Sequence, residues 1–152
     1  MAQATGGQSF YDALVEIKPA GGVWIDISGW GSSIAIDGGD RTTGEGYTFD
    51  GDVAIIGIAK RAPRTVTVRC LYTESASDPY ERALDAYRNH TALQVRWSPK
   101  GGDTNESRYT TSANDSYVVN CPPPVGEANG GEPTMFEFSV FTSDVTKDSE
   151  TT

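Results

Sequence analysis

The chain has 152 residues, 37% of them hydrophobic, with 17 Gly, 8 Pro and a formal charge of −9 from 21 acidic and 12 basic side chains. That length suits one domain with an adequate core, and the Gly and Pro content calls for many turns. The acidic balance does not favour tight gripping of nucleic acid by its phosphates, which needs Lys and Arg clusters, but leaves room for a protein past which DNA slides.

Residues 1–9 are small and polar and are expected to form a flexible arm. The start, MAQATGGQSF, lacks the charged and apolar regions of a signal peptide. Phe10 to Lys18 reads as a first strand, and Pro19-Ala20-Gly21-Gly22 as a turn. Val23 to Ile27 alternates, with Val23, Ile25 and Ile27 inward and Trp24 and Asp26 on the other face. Ser28-Gly29-Trp30-Gly31 bends the chain, and Ser32 to Asp37 continues as strand, with Ile34 and Ile36 on one side.

Residues 38–52, GGDRTTGEGYTFDGD, hold five glycines and no apolar periodicity. They read as a long loop, and long loops in compact domains are usually functional or disordered. Tyr47 and Phe49 have no evident place in the chain's own core. Val53 to Ala59, VAIIGIA, is apolar on both faces, where an antiparallel strand usually keeps one face wet. Either another subunit covers its second face, or it is a central strand beneath a helix.

Arg64 to Lys100 reads as strand, helix, strand. Val66, Val68, Cys70 and Tyr72 alternate with Thr65, Thr67, Arg69 and Leu71. Asp78, Pro79 and Glu81 are a helix start of the capping-box kind, with proline at the first helical position. Tyr80, Ala83, Leu84 and Tyr87 then fall at i, i+3, i+4 and i+7. This one apolar stripe predicts a helix over 78–89 packed on a β-sandwich. Leu93 to Trp97 resumes as strand. Arg108–Thr111 and Tyr117–Asn120 read as short strands around a turn at Asn114-Asp115. Residues 121–134 form a second long loop. Met135 to Thr142 closes the domain, with Phe136, Phe138 and Val140 on one face. Residues 143–152 are expected to be a polar tail outside a single domain over 10–142. The total is eight to ten strands and one helix: a mainly β, antiparallel sandwich or barrel.

No chemistry stands out. A lone His90 at the helix end suits a helix-closing role, and one histidine without clustered cysteines does not make a zinc site. Asp37-Gly38-Gly39-Asp40 and Asp50-Gly51-Asp52 miss the spacing of a calcium loop and read as turns. Gly44-Glu45-Gly46 lacks the rest of a phosphate-binding fingerprint. Asn89, Asn105 and Asn114 open glycosylation patterns, which carry little without an export signal. No feature selects a carboxylate pair from the 21 acids. Cys70 and Cys121 read as free thiols, with a bridge between them as the alternative. No catalytic, cofactor-binding or metal site is expected, and no apolar run reaches the roughly 18 residues of a membrane span.

Trp24–Asp52, Lys60–Tyr87 and Val95–Gly102 resemble the major tail proteins, or tail tube proteins, of long-tailed bacteriophages. The resemblance covers about residues 11–142. It implies a structural virion protein with a sandwich and one flanking helix. Six copies would form a ring whose inner sheets join, and stacked rings would conduct DNA without binding it specifically. It also implies partners: a tape measure protein and tail terminator or tip proteins. The place is the virion tail, assembled in the bacterial host cytoplasm. In that family the long early loop and the terminal arms contact the neighbouring ring. That agrees with the reading of residues 38–52, so Asp40, Arg41, Glu45, Tyr47, Phe49, Asp50, Ile55 and Ile56 become the candidate contacts between subunits. The rival from another class is a carbohydrate- or cell-surface-binding sandwich using Trp24, Trp30 and Trp97 as stacking surfaces. A hydrolase lacks a nucleophile motif.

Overall fold

The computed structural model describes residues 2–3, 6–7, 9–103 and 106–149. Parts of the expected arm and tail, and Asn105 of the second glycosylation pattern, lie outside them. Eleven strands and one α-helix are present among the described residues. A five-stranded sheet is built from β1 (Leu14–Pro19), β2 (Ile25–Asp26), β7 (Leu93–Ser98), β8 (Ser107–Thr111) and β11 (Val145–Ser149), in the order β11-β8-β7-β1-β2. A four-stranded sheet holds β3 (Gly31–Gly38), β6 (Arg64–Leu71), β9 (Ser116–Asn120) and β10 (Met135–Thr142), in the order β3-β6-β10-β9. Every pairing is antiparallel. A separate pair, β4 (Arg41–Gly46) and β5 (Ile55–Arg61), stands apart from both sheets.

The two sheets bury their facing sides against each other, as the period-two pattern requires. Val15, Ile17, Leu93, Val95 and Trp97 come from one sheet; Val66, Val68, Phe136, Phe138 and Val140 come from the other. Buried hydroxyls secure the corner where the chain leaves the first sheet for the second. Thr111 Oγ1 accepts from the Val95 N–H at 3.0 Å, and Ser116 Oγ lies 3.0 Å from Thr142 Oγ1. Each of these three hydroxyls therefore has a partner, without which burial would cost about 1–3 kcal/mol. Consequently β8 and β9 belong to different sheets, although the sequence reads them as two strands around one turn.

Helix α1 (Pro79–Asn89) has proline at its first turn, as expected. Its buried stripe runs through Pro79, Ala83 and Ala86, with Tyr80 and Leu84 partly buried beside it. Tyr80 meets Tyr72 and Phe136 edge-on, at centroid distances of 4.9 and 5.1 Å. Tyr87 is 44% exposed, because Ala86 rather than Tyr87 faces the core in the last turn. Asp78 does not cap the helix through its side chain; its carboxylate accepts from the Ser75 N–H instead. Cys70 and Cys121 are buried, free thiols.

Several segments depart from expectation. Phe10–Asp12 is a 3-10 turn, closed by the Ala13 N–H donating to the Phe10 carbonyl, so β1 starts only at Leu14. Only Ile25 and Asp26 pair beyond the turn that follows β1, and Val23, expected inward, is exposed. Arg41–Gly46, expected as loop, is a strand. Val145–Ser149, expected as tail, pairs along β8 and tucks Val145 against the core. No helix among the described residues covers β5, whose residues are all exposed, so it is not a central strand beneath α1.

Candidate assembly surface

The β4–β5 hairpin is built from a constrained root. Gly38 and Gly39 have φ of +87° and +83°, and a Cβ on Gly38 would lie 2.4 Å from the Pro63 carbonyl oxygen. Only glycine tolerates that approach and that backbone region. The Gly39 N–H donates to the Pro63 carbonyl, and the Ala62 N–H donates to the Asp40 carbonyl at 2.9 Å. The two legs thus leave the sandwich side by side. Arg61 pairs with Asp144 at 2.9 Å and braces the root against the turn before β11. Both groups are substantially exposed, so the pair orients more than it stabilises.

Beyond the root, the register sets Thr43 opposite Ile58, Glu45 opposite Ile56, and Gly46 opposite Ile55. Paired residues share a face. One face therefore carries Thr43, Glu45, Ile56 and Ile58. The other carries Ile55 beside glycines, which leaves flat, accessible backbone. Every residue of both strands is exposed. Tyr47, Phe49, Val53, Ile55, Ile56 and Ile58 range from 63% to 114% exposure, and such a concentration of exposed apolar side chains on one element marks an interaction site.

All eight candidate contacts fall on this hairpin. Asp40 sits at the root, Arg41 donates to the Ala59 carbonyl at 3.2 Å, and Glu45 lies mid-strand. Tyr47, Phe49 and Asp50 form the tip, and Ile55 and Ile56 start the return strand. Sequence reasoning missed Val53 and Ile58. The VAIIGIA run contains both, and its apolar character on both faces was the available signal.

The tryptophans are engaged elsewhere. Trp97 is buried and stacks on Tyr109 at 5.8 Å. Trp30 donates its Nε1–H to Thr73 Oγ1 at 3.0 Å. Trp24 lies under the Arg96 guanidinium, 4.2 Å from the ring centroid, and Arg96 also grips Glu16 at 2.8 Å. Each tryptophan thus has a partner within the chain. No group of three metal-ligating side chains comes together among the described residues. No helix among them is long and apolar enough to cross a membrane.

No protein-family model and no curated protein sequence matches the chain. Solved structures do. A chain of the extended sheath–tube complex of an extracellular contractile injection system (PVC) superposes with a TM-score of 0.65 at 12% identity, covering 97% of this chain and 99% of that one. A chain of the tube-terminating cap of the anti-feeding prophage gives 0.65 at 13%, covering 98% and 95%. The SPP1 tail tube gives 0.60 at 14%, covering 93% and 78%. At such identities the likeness is one of fold, and this chain has the fold found in tail tubes and in contractile injection particles.

Proposed function

We propose that this chain is the repeating subunit of a tail tube, a structural and non-enzymatic protein. Six copies close into a ring, and stacked rings form a conduit through which DNA passes without specific binding. The observation that carries this reading is the β4–β5 hairpin, a strand pair with every residue exposed and no cover within its own chain. Fully burying one large apolar side chain contributes about 1.5–3 kcal/mol. Six of them supply on the order of 10 kcal/mol, against an association cost of about 4–15 kcal/mol. The hairpin is thus a major contact between copies but needs help, and the edges of the two sheets offer it through their unpaired backbone groups. Partners at the tube ends follow from the same reading: terminator or cap proteins, tip proteins, and a tape measure protein inside. The place is the virion tail, after assembly in the host cytoplasm.

The test uses the close root. Because the Ala62 N–H reaches the Asp40 carbonyl, replacing residues 41–61 with Gly-Ser should preserve the sandwich. The shortened chain should stay folded and soluble, with tubes absent by electron microscopy while the full chain forms them. Full-length tubes from the shortened chain would refute the role of the hairpin. A full chain that stays monomeric and binds glycans would instead favour the carbohydrate-binding rival.

A further inference from the structure

The four edges of the two sandwich sheets are not alike. β2 is two residues long, too short to extend. β9 is met on its free side by Ala92, which bridges to Tyr117 beside α1. Among the described residues, β3 and β11 remain as free edges of eight and five residues. Such an edge is a template for a further strand unless something blunts it. What an arriving strand would meet differs between the two.

Cross-strand partners share a face, so the registers define rows of side chains across each sheet. On the inner face of the four-stranded sheet, Ile36 pairs with Val66, Val66 with Val140, and Val140 with Val118. This row is apolar throughout and reaches the β3 edge at Ile36, which is 42% exposed. On the inner face of the five-stranded sheet, Val15 pairs with Trp97, Trp97 with Tyr109, and Tyr109 with Lys147. Val15 and Trp97 are buried, and Tyr109 packs against the core. The row therefore runs outward from the core and stops at a cation. Val145, on the same strand and face, packs against the core, whereas Lys147 is exposed at the margin. With the edge open, the Lys147 stem continues the apolar row and its ammonium stays in water. A strand paired along β11 would set a side chain beside Lys147 and shut the ammonium away from water, where a charge needs a partner.

Resting on the tube reading, we propose that Lys147 is a specificity-determining residue of assembly: it bars a second copy from pairing along β11. The charge leaves the free subunit undisturbed and penalises only the wrong pairing. Lys147→Val continues the row in the manner of Val145 and removes the bar. The full chain is compared at a concentration where wild type is monomeric. There Lys147→Val should form roughly tenfold more dimer and larger non-tubular species by sedimentation velocity, with a melting temperature at or above that of wild type. The β11 amides should gain protection from hydrogen exchange in those species. Lys147→Arg and Lys147→Glu keep a charge on that face and should remain monomeric. Thr146→Val adds apolar bulk on the opposite face of the same strand and should remain monomeric too. Lys147→Val that stays monomeric overturns the inference. So does association without protection of β11, or equal association by Thr146→Val or Lys147→Glu. All of these readouts come from free subunits, so they are separate from tube formation. Wild type that never makes tubes overturns the tube reading, while the barred edge stands or falls with Lys147→Val.

Discussion

At the scale of single residues, the core should behave as its burial dictates. Phe138 is fully buried between the sheets, so Phe138→Ala should cost about 3–5 kcal/mol in denaturant unfolding of the monomer. His90→Gly should raise monomer stability by about 0.5–1 kcal/mol by relieving the left-handed backbone. The thiols give a pH signature. Burial pushes Cys70 up to about 12 and Cys121 up to about 11, the latter partly offset by Arg88 nearby. The folded state thus holds thiol protons that the unfolded chain releases near its ordinary value of 9.0. Their contribution to stability is fully present below that pH and is lost as pH rises towards 11–12. Alkylation at pH 8 should label neither cysteine in the native monomer and both after denaturation, and Cys121→Ala should show a shallower alkaline decline. Inward residues were legible where strands have one wet face, as in β6 and β10. Trp24 was legible as outward-facing, but its Arg96 lid joins side chains 72 positions apart in sequence, which no local pattern encodes.

Among the elements, α1 was the easiest to read, because proline placement and apolar spacing agree. Its stripe is rotated by less than a turn from expectation, since two alanines let the backbone sit close to the sheets while the tyrosines lie at the margins. Leu84 is only partly buried, so Leu84→Ala should cost about 1–2 kcal/mol, below the range for a fully buried leucine. The strands that escaped reading share a cause. β4 has glycines and threonines and no core to face, so no alternation marks it. β11 has only Val145 turned to the core, and its pairing partner β8 is more than 30 residues earlier in the chain. β2 is two residues long, too short for any period. The hairpin was half legible: the apolar return strand showed that something must cover it, while the pairing that makes it an arm did not show.

For the whole molecule, the proposed conduit turns on charge. Six chains at −9 would carry 6 × (−9) = −54 per proposed ring. A basic channel would hold duplex DNA by counterion release and stall it. The outer face of the four-stranded sheet suits a channel, because Thr65, Thr67 and Ser139 share it with Asp37, Glu137 and a single cation, Arg69. Thr67→Arg with Ser139→Arg would add twelve positive charges to each six-copy ring. Such tubes should retain duplex DNA in low-salt co-sedimentation while wild-type tubes release it; equal retention by both would count against this face as the lining. The hairpin also has a consequence in time. A two-stranded ribbon alone in water is only marginally stable, so in the proposed tube a free subunit would have to freeze its arm at the moment it joins. The first few subunits bear that entropic loss with little contact in return, whereas a subunit arriving at a finished tube end meets a surface already in place. Spontaneous starts should therefore be rare and growth from an existing end fast: a lag that pre-formed fragments abolish, and a supply of subunits that waits for a template.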